Sequence, residues 1–386
     1  MGTAFCLELE RLIVMSYARA RLWLGITGVG TIVVLCLVAL VFRIPALLLH
    51  TGAQPVWRDG YELAAVLFLY ATVQGAFDFF GGHILPTEYG RTTARFGAFL
   101  AGWLRGVLCH SAVLLLIGVA LIRASQAGGF WATMGTFAAI SLVLLLAQAG
   151  LAGLIGGIPY RRGDDLPGSL PVTVAQSTTP YFTGGIVGVP GFERLVLPAR
   201  WQDAFSPEQM AAILSRKTGV VRTGSRLRGL ALAIGFNAIG FALSYTLGGG
   251  TASVAALVST SLWFTVWSFI GLLLLPTPSQ SGVFRADAFA LSSGTDADTL
   301  ASVIQRLDED QDDEATRPSG VEKIFHPLPS VERRLARLFT PETADPGAWH
   351  AARTAIYLSW AGMSFLSRAV HCNSGRPDAW VFLPSD

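Results

Sequence analysis

Long apolar runs, separated by short clusters of arginine and glycine, dominate this chain. Residues 22–42 carry no charge and are long enough to cross a hydrocarbon core of about 30 Å as a helix. Further apolar runs cover residues 63–80, 97–122 and 128–158. Between Arg228 and Arg285 no residue is charged, and Gly248-Gly249-Gly250-Thr251 divides that stretch into two more spans joined by a tight turn. The pattern therefore predicts six transmembrane helices.

Two other stretches change character. From about Tyr160 to Ser225 the chain becomes polar, and residues 170–175 and 192–197 have the β-branched, alternating character of short strands. Glycines at 184, 185, 188 and 191 supply turns between them, so a small antiparallel sheet is expected. Ser206 is then a good N-cap, with Pro207 at the first helical position and Gln209 completing a capping box, which starts a helix running to about Gly219. The second polar stretch, from Gly282 to the C-terminus, opens with a helical segment over 283–307. An acidic run at 308–314 reads as a solvated loop, a basic helix follows over 330–338, and residues 349–369 are apolar enough to lie against the membrane or the bundle.

Composition agrees with a membrane protein of mainly α class carrying an α+β domain: hydrophobic residues make up 52% of the chain and charged ones only 14%. The expected division is 1–159 with four transmembrane helices, 160–228 as the first half of the polar domain, 229–276 as a transmembrane hairpin, and 277–386 as the second half with C-terminal helices. Arg11, Arg19 and Arg21 precede the first span, Arg91 and Arg95 separate the second from the third, and Arg161 and Arg162 follow the fourth. Arg216, Lys217, Arg222, Arg226 and Arg228 precede the fifth, and Arg43 and Arg58 after the first weaken the asymmetry without reversing it. Both termini and the polar domain are thus expected on the cytoplasmic side, in a bacterial inner membrane. The first run is too long for a signal-peptide core, and Ile44-Pro45-Ala46 is a poor cleavage site. Cys6, Cys36, Cys109 and Cys372 have no metal-ligand spacing and read as free thiols or small hydrophobes.

Over roughly residues 173–338 the order of parts resembles the membrane metallopeptidases of the HtpX and CAAX prenyl protease family. Thr178-Thr179-Pro180-Tyr181-Phe182-Thr183-Gly184-Gly185 is similar to the stretch before that family's edge strand, and Phe205 to Leu214 to the run into its metal helix. Arg285-Ala286-Asp287-Ala288-Phe289-Ala290 is similar to the core of its third-ligand motif, and Phe325-His326-Pro327 with the following Ser330-Val331-Glu332-Arg333-Arg334-Leu335 to its His-Pro segment and helix. The resemblance implies a short sheet, a helix bearing His-Glu-x-x-His for zinc, and a Glu-x-x-x-Asp motif. It also puts Arg216 and Val220 at the imidazole positions, Lys217 at the general base, and Val283 at the third ligand. Asp287 and His326 remain from the surroundings of that site. No cofactor is then expected, since zinc would need ligands that these residues cannot supply.

Three function classes follow. One is a catalytically inactive homologue acting as a binding, scaffold or assembly subunit of a membrane complex. Its partners would be membrane lipids and either other membrane proteins or an extended peptide added to an edge strand at Gly184, Gly185, Ile186 and Val187, with no nucleic acid. The second is an active membrane endopeptidase of this type with a non-standard site, although no Gly-x-Ser-x-Gly elbow or Cys/His pairing offers a replacement. The third, a transporter or channel, would need more polar groups along the spans than the chain has. Arg216, Lys217, Arg222, Arg226 and Arg228 are candidates for an anion or acidic-partner site where the metal would lie, but Arg222, Arg226 and Arg228 read rather as a positive-inside stop at the headgroups. Asp78, Arg105 and His110, inside apolar runs, are functional candidates or members of an ion pair that packs the helices. Arg216 and Asp287 are expected to face each other where the metal would lie.

Overall fold

The computed structural model describes residues 15–163, 170–177, 179–311, 314–339 and 346–382. Arg11 and Cys6, Thr178 of the motif before the edge strand, and Asp312 and Asp313 of the acidic run lie outside these. Helix α1 (Tyr17–Val41) begins at a Ser16 cap and is followed by α2 (Val56–Glu88), whose last turns pass through a π-helical segment at Phe80–Ile84. Helix α3 (Phe96–Gly156) precedes the sheet, and α5 (Ser225–Gly248) and α6 (Val254–Leu274) form the hairpin after α4 (Pro207–Arg222). Among the described residues five helices, α1, α2, α3, α5 and α6, are long and apolar enough to cross a membrane.

The expected six spans become five helices because the third and fourth share α3. Its 61 residues would extend about 90 Å, roughly three times a hydrocarbon core, and the backbone leaves helical geometry at Gly128 and Gly129. A glycine pair is where such a break costs least, since Gly129 sits at φ +58°. The helices pack around Leu63, Leu114, Leu121, Phe137, Phe241, Leu257 and Phe264.

The sheet is mixed rather than antiparallel. Strands β1 (Tyr160–Arg162), β2 (Val172–Ala175), β3 (Gly185–Val187) and β4 (Arg194–Pro198) lie in the order β1-β2-β4-β3, with β2 and β4 parallel and the outer pairings antiparallel. The glycines alone mark this stretch as a turn, whereas the family resemblance put an edge strand there, and its middle is indeed a strand. Once β3 takes one side of β4 through the turn at Gly188 and Gly191, β2 is left with the other side and runs parallel to it.

The second polar stretch also departs from its pattern. In place of one helix over 283–307 there are two, α7 (Pro276–Ser292) and α8 (Ala297–Asp310), separated at Gly294 (φ +92°) and restarted by the Asp296 side chain, which accepts from Thr299 N. Helix α8 carries the first acidic residues, so the run is not all loop. Two short helices follow, α9 (Ser319–Phe325) and α10 (Val331–Leu338). Helix α11 (Ala351–Leu358) then leads into a largely non-helical segment, 359–382, that is buried almost throughout. Its Trp360, Leu366, Ala369 and Trp380 belong to the same core as the membrane helices. A second core joins the sheet to α4, α7 and α8 through Val174, Leu195, Ile213, Val220, Val283 and Leu307.

Candidate functional site

Helix α4 starts with the full reciprocal box: Ser206 Oγ accepts from Gln209 N, and the Gln209 side chain accepts from Ser206 N. Its buried face is Ala212, Ile213, Arg216, Lys217 and Val220, the spacing of one helical stripe turned toward α7. Helix α7 answers with Val283, Ala286, Asp287 and Ala290. Gly219 sets the distance between them, because a Cβ there would stand 2.5 Å from the Phe289 ring.

Arg216 and Asp287 meet at the centre of this contact. Arg216 Nε donates to Asp287 Oδ1 at 2.6 Å, with the two residues 2% and 3% exposed. Arg334 of α10 completes the cluster from the opposite side, its Nε 2.9 Å from Oδ2 and its Nη2 2.8 Å from Oδ1. One buried carboxylate is thus gripped by two guanidiniums, one of them bidentate. Arg334 reads in the sequence as part of a basic helix and of the motif around His326, with no role at the site. The signal that marks it is its place three residues after the buried Val331, on the face that also carries Leu335 and Leu338.

The remaining positions are apolar or peripheral. Val220 and Val283 are core residues packed with Trp349, and Lys217 Nζ lies 5.8 Å from the centroid of that indole. Among the described residues no group of three or more His, Cys, Asp or Glu side chains is arranged to hold a metal ion. Two valines, an arginine and a lysine are not zinc donors. His326 caps α9, its ring centroid 5.6 Å from that of His371. Burial, with Arg317 and Arg353 acting in the same direction, brings its pKa down to about 3, so the imidazole is neutral at ordinary pH.

The edge strand is occupied from within. Gly185–Val187 form β3 at the rim of the sheet, and Gly184 precedes it in the left-handed region, where a Cβ would run into the Val196 carbonyl. Arg226 of α5 donates from Nη1 to Ile186 O at 2.8 Å and from Nη2 to Gly188 O at 2.5 Å. Ile186 O belongs to β3 and Gly188 O to the turn after it, so Arg226 holds the edge to which an added strand would pair. Arg226 is thus tied to the protein rather than to headgroups, and Arg228, which donates to Gly347 O and Thr223 O, is tied likewise. Arg226→Ala is expected to lower the stability of the solubilised protein by about 2–4 kcal/mol, from the loss of two charge-assisted bonds to buried carbonyls. Thermal unfolding in detergent measures it, and an unchanged midpoint would show that water replaces the guanidinium.

The intramembrane ionisable residues separate. Asp78 pairs with Arg368 of the C-terminal segment, not with Arg105 or His110, and both side chains of the pair are fully buried. Trp103 Nε1, Gln74 Nε2 and Gly375 N also donate to Asp78. His110 is a buried ring set edge-on against Trp360 and Trp380. Arg105 donates to Ile155 O and Gly156 O, capping the end of α3. Cys36, Cys109 and Cys372 are free thiols.

No family model matches the chain, and no curated protein does. Among solved structures it is similar to S. mikatae Ste24p, with a TM-score of 0.61 over 74% of this chain and 76% of that one, at 12% sequence identity. At that identity the likeness is one of fold, and it makes this chain an integral membrane protein with a Ste24p-like arrangement of helices and sheet.

Proposed function

We propose that this protein is a non-catalytic member of the membrane metallopeptidase fold, retained as a binding or assembly subunit in a membrane complex. Ste24p is of the CAAX metallopeptidase kind that the four motifs resemble, so fold and motif order support the same lineage. The observation that carries the proposal is the Arg216–Asp287–Arg334 cluster. A carboxylate that would steady metal ligands in that frame is here satisfied by two guanidiniums, which leaves neither a base nor a ligand facing it. Arg226 on the β3 carbonyls argues against strand addition as the binding mode, and therefore for partners met through the membrane helices. The arginine distribution supports a cytoplasmic placement for the sheet and both termini.

The protein purified with added zinc is expected to hold no stoichiometric metal and to show no chelator-sensitive proteolysis. About one zinc ion per chain, with peptide cleavage stopped by a chelator, would overturn the proposal in favour of an active endopeptidase. The fourfold variant Arg216→His, Lys217→Glu, Val220→His, Val283→Glu tests the frame itself. If these four positions face a common point, it gains zinc affinity that the parent lacks.

A further inference from the structure

One face of the sheet belongs to the membrane bundle. Ala175, Val187 and Val196 share a core with Leu144 and Leu145 of α3, and Gly185 and Ile186 wall a small cavity together with Leu145, Gln148 and Leu230. Two lengths then fix how the sheet stands. Strand β1 starts at Tyr160, just past the end of α3 at Gly156, whereas β3 lies beside Leu145, about 16 Å back along the helix. Across the sheet, β1 and β3 are the two edges of the order β1-β2-β4-β3, about 14 Å apart at the usual strand spacing. The lengths agree, so the strands are stacked along α3, with β1 at its end and β3 deepest beside it. At that depth α3 turns Leu142, Val143 and Leu146 outward, 50%, 59% and 60% exposed, which are side chains for lipid to cover.

We infer that the turn between β3 and β4, residues 188–192, is a membrane anchor whose partner is the lipid interface on the polar-domain side, entered by the ring of Phe192. Phe192 is 79% exposed. Its place is set by a tight turn in which Phe192 N donates to Val189 O at 2.9 Å, with Pro190 and Gly191 (φ +88°) at the two central positions. From Gly184 to Phe192 the chain has no charged side chain, and the turn is Gly-Val-Pro-Gly-Phe, without the Asn, Asp or Ser common in turns that face water. The opposite edge of the sheet has the reverse character: β1 exposes Arg161 and Arg162. Polarity thus falls across the sheet in the direction in which its strands approach lipid.

Arg226 fits the same arrangement. The open edge of a strand beside lipid has little water to satisfy its carbonyls, so protein donors must do so. Arg226 does this for Ile186 O and Gly188 O. Glu193, which accepts from Gly191 N, and the exposed Arg194 follow Phe192 directly and bring charge back at the headgroups. None of this depends on whether the protein is catalytic.

The test uses the full-length protein in phosphatidylcholine liposomes. In a background with its four cysteines replaced by alanine, nitroxide labels are placed at Phe192→Cys, at Leu146→Cys as the lipid reference and at Gln305→Cys on the exposed side of α8 as the water reference. The label at 192 should collide more with oxygen than with a water-soluble nickel chelate, as at 146 and opposite to 305. Phe192→Trp in the chain with its native cysteines reads the same contact independently. The fluorescence it adds over the parent should be quenched by brominated phosphatidylcholine and not by iodide. A label at 192 that matches 305, or added fluorescence quenched by iodide alone, would overturn the proposal. A label shielded from oxygen and nickel alike would overturn it too, in favour of a protein contact at the turn.

Discussion

Asp287→Ala is expected to be among the most damaging single substitutions in the polar domain. It takes from Arg216 and Arg334, both under 5% exposed, the carboxylate that they share. Removing one side of a buried ionic contact typically costs about 3–5 kcal/mol, because the orphaned charge stays buried. Here two buried guanidiniums lose the same carboxylate at once, so the loss belongs in that range. Guanidiniums cannot escape by losing a proton.

The single arginine variants should be milder. In Arg216→Ala the carboxylate keeps the bidentate grip of Arg334, and the loss is one charge-assisted bond, about 1.5–3 kcal/mol. Arg334→Ala leaves only the Arg216 Nε contact at 2.6 Å and should cost more. The triple replacement Arg216→Met, Asp287→Leu, Arg334→Leu is expected to recover most of the loss, since well-packed apolar groups of similar volume often match or exceed a buried ionic triad. Thermal unfolding of the five proteins in one detergent gives the order. Near-neutral and additive single effects would show the cluster to be wetter and weaker than its burial indicates.

What could be read from the residues was local or periodic. The capping box of α4 needs only residues 206–209, and the apolar runs need only length and hydropathy, so both are found as helices, with the third and fourth runs joined in α3. The meeting of Arg216 and Asp287 was legible for another reason: a known frame fixes which positions converge. The sheet was harder, because β2 and β4 are parallel only by virtue of β3, three residues hidden among glycines. Arg226 reads as a headgroup arginine from its position ahead of an apolar run, and nothing local says that β3, some 40 residues earlier, needs its carbonyls covered. Arg334 stood inside a basic helix, where one inward-facing arginine does not differ in type from its outward neighbours.

The C-terminal segment is the least legible part and the source of the second large effect. Residues 349–369 are apolar enough to suggest contact with the bundle, but the chain enters it with Arg368, whose side chain is as buried as that of Asp78 on α2. Its guanidinium also lies 4.4 Å from the Trp380 ring centroid and 5.4 Å from that of Tyr70, so two aromatic faces share the cation. Arg21 of α1 ties the same segment to α2, donating to the carbonyls of His371 and Ser374 and to that of Gly81. The consequence is an asymmetry between the two halves of the pair. In Arg368→Ala the carboxyl group keeps three other donors, Trp103, Gln74 and Gly375. In Asp78→Ala the stranded arginine can neither deprotonate nor reach water. Asp78→Ala should therefore cost about 3–5 kcal/mol and release the C-terminal segment to protease, whereas Arg368→Ala should cost distinctly less. Limited proteolysis and thermal unfolding in detergent distinguish these outcomes. Equal losses for the two variants, with the segment still protected, would mean that apolar packing around Trp360 and Trp380 holds it in place and that the ion pair is incidental.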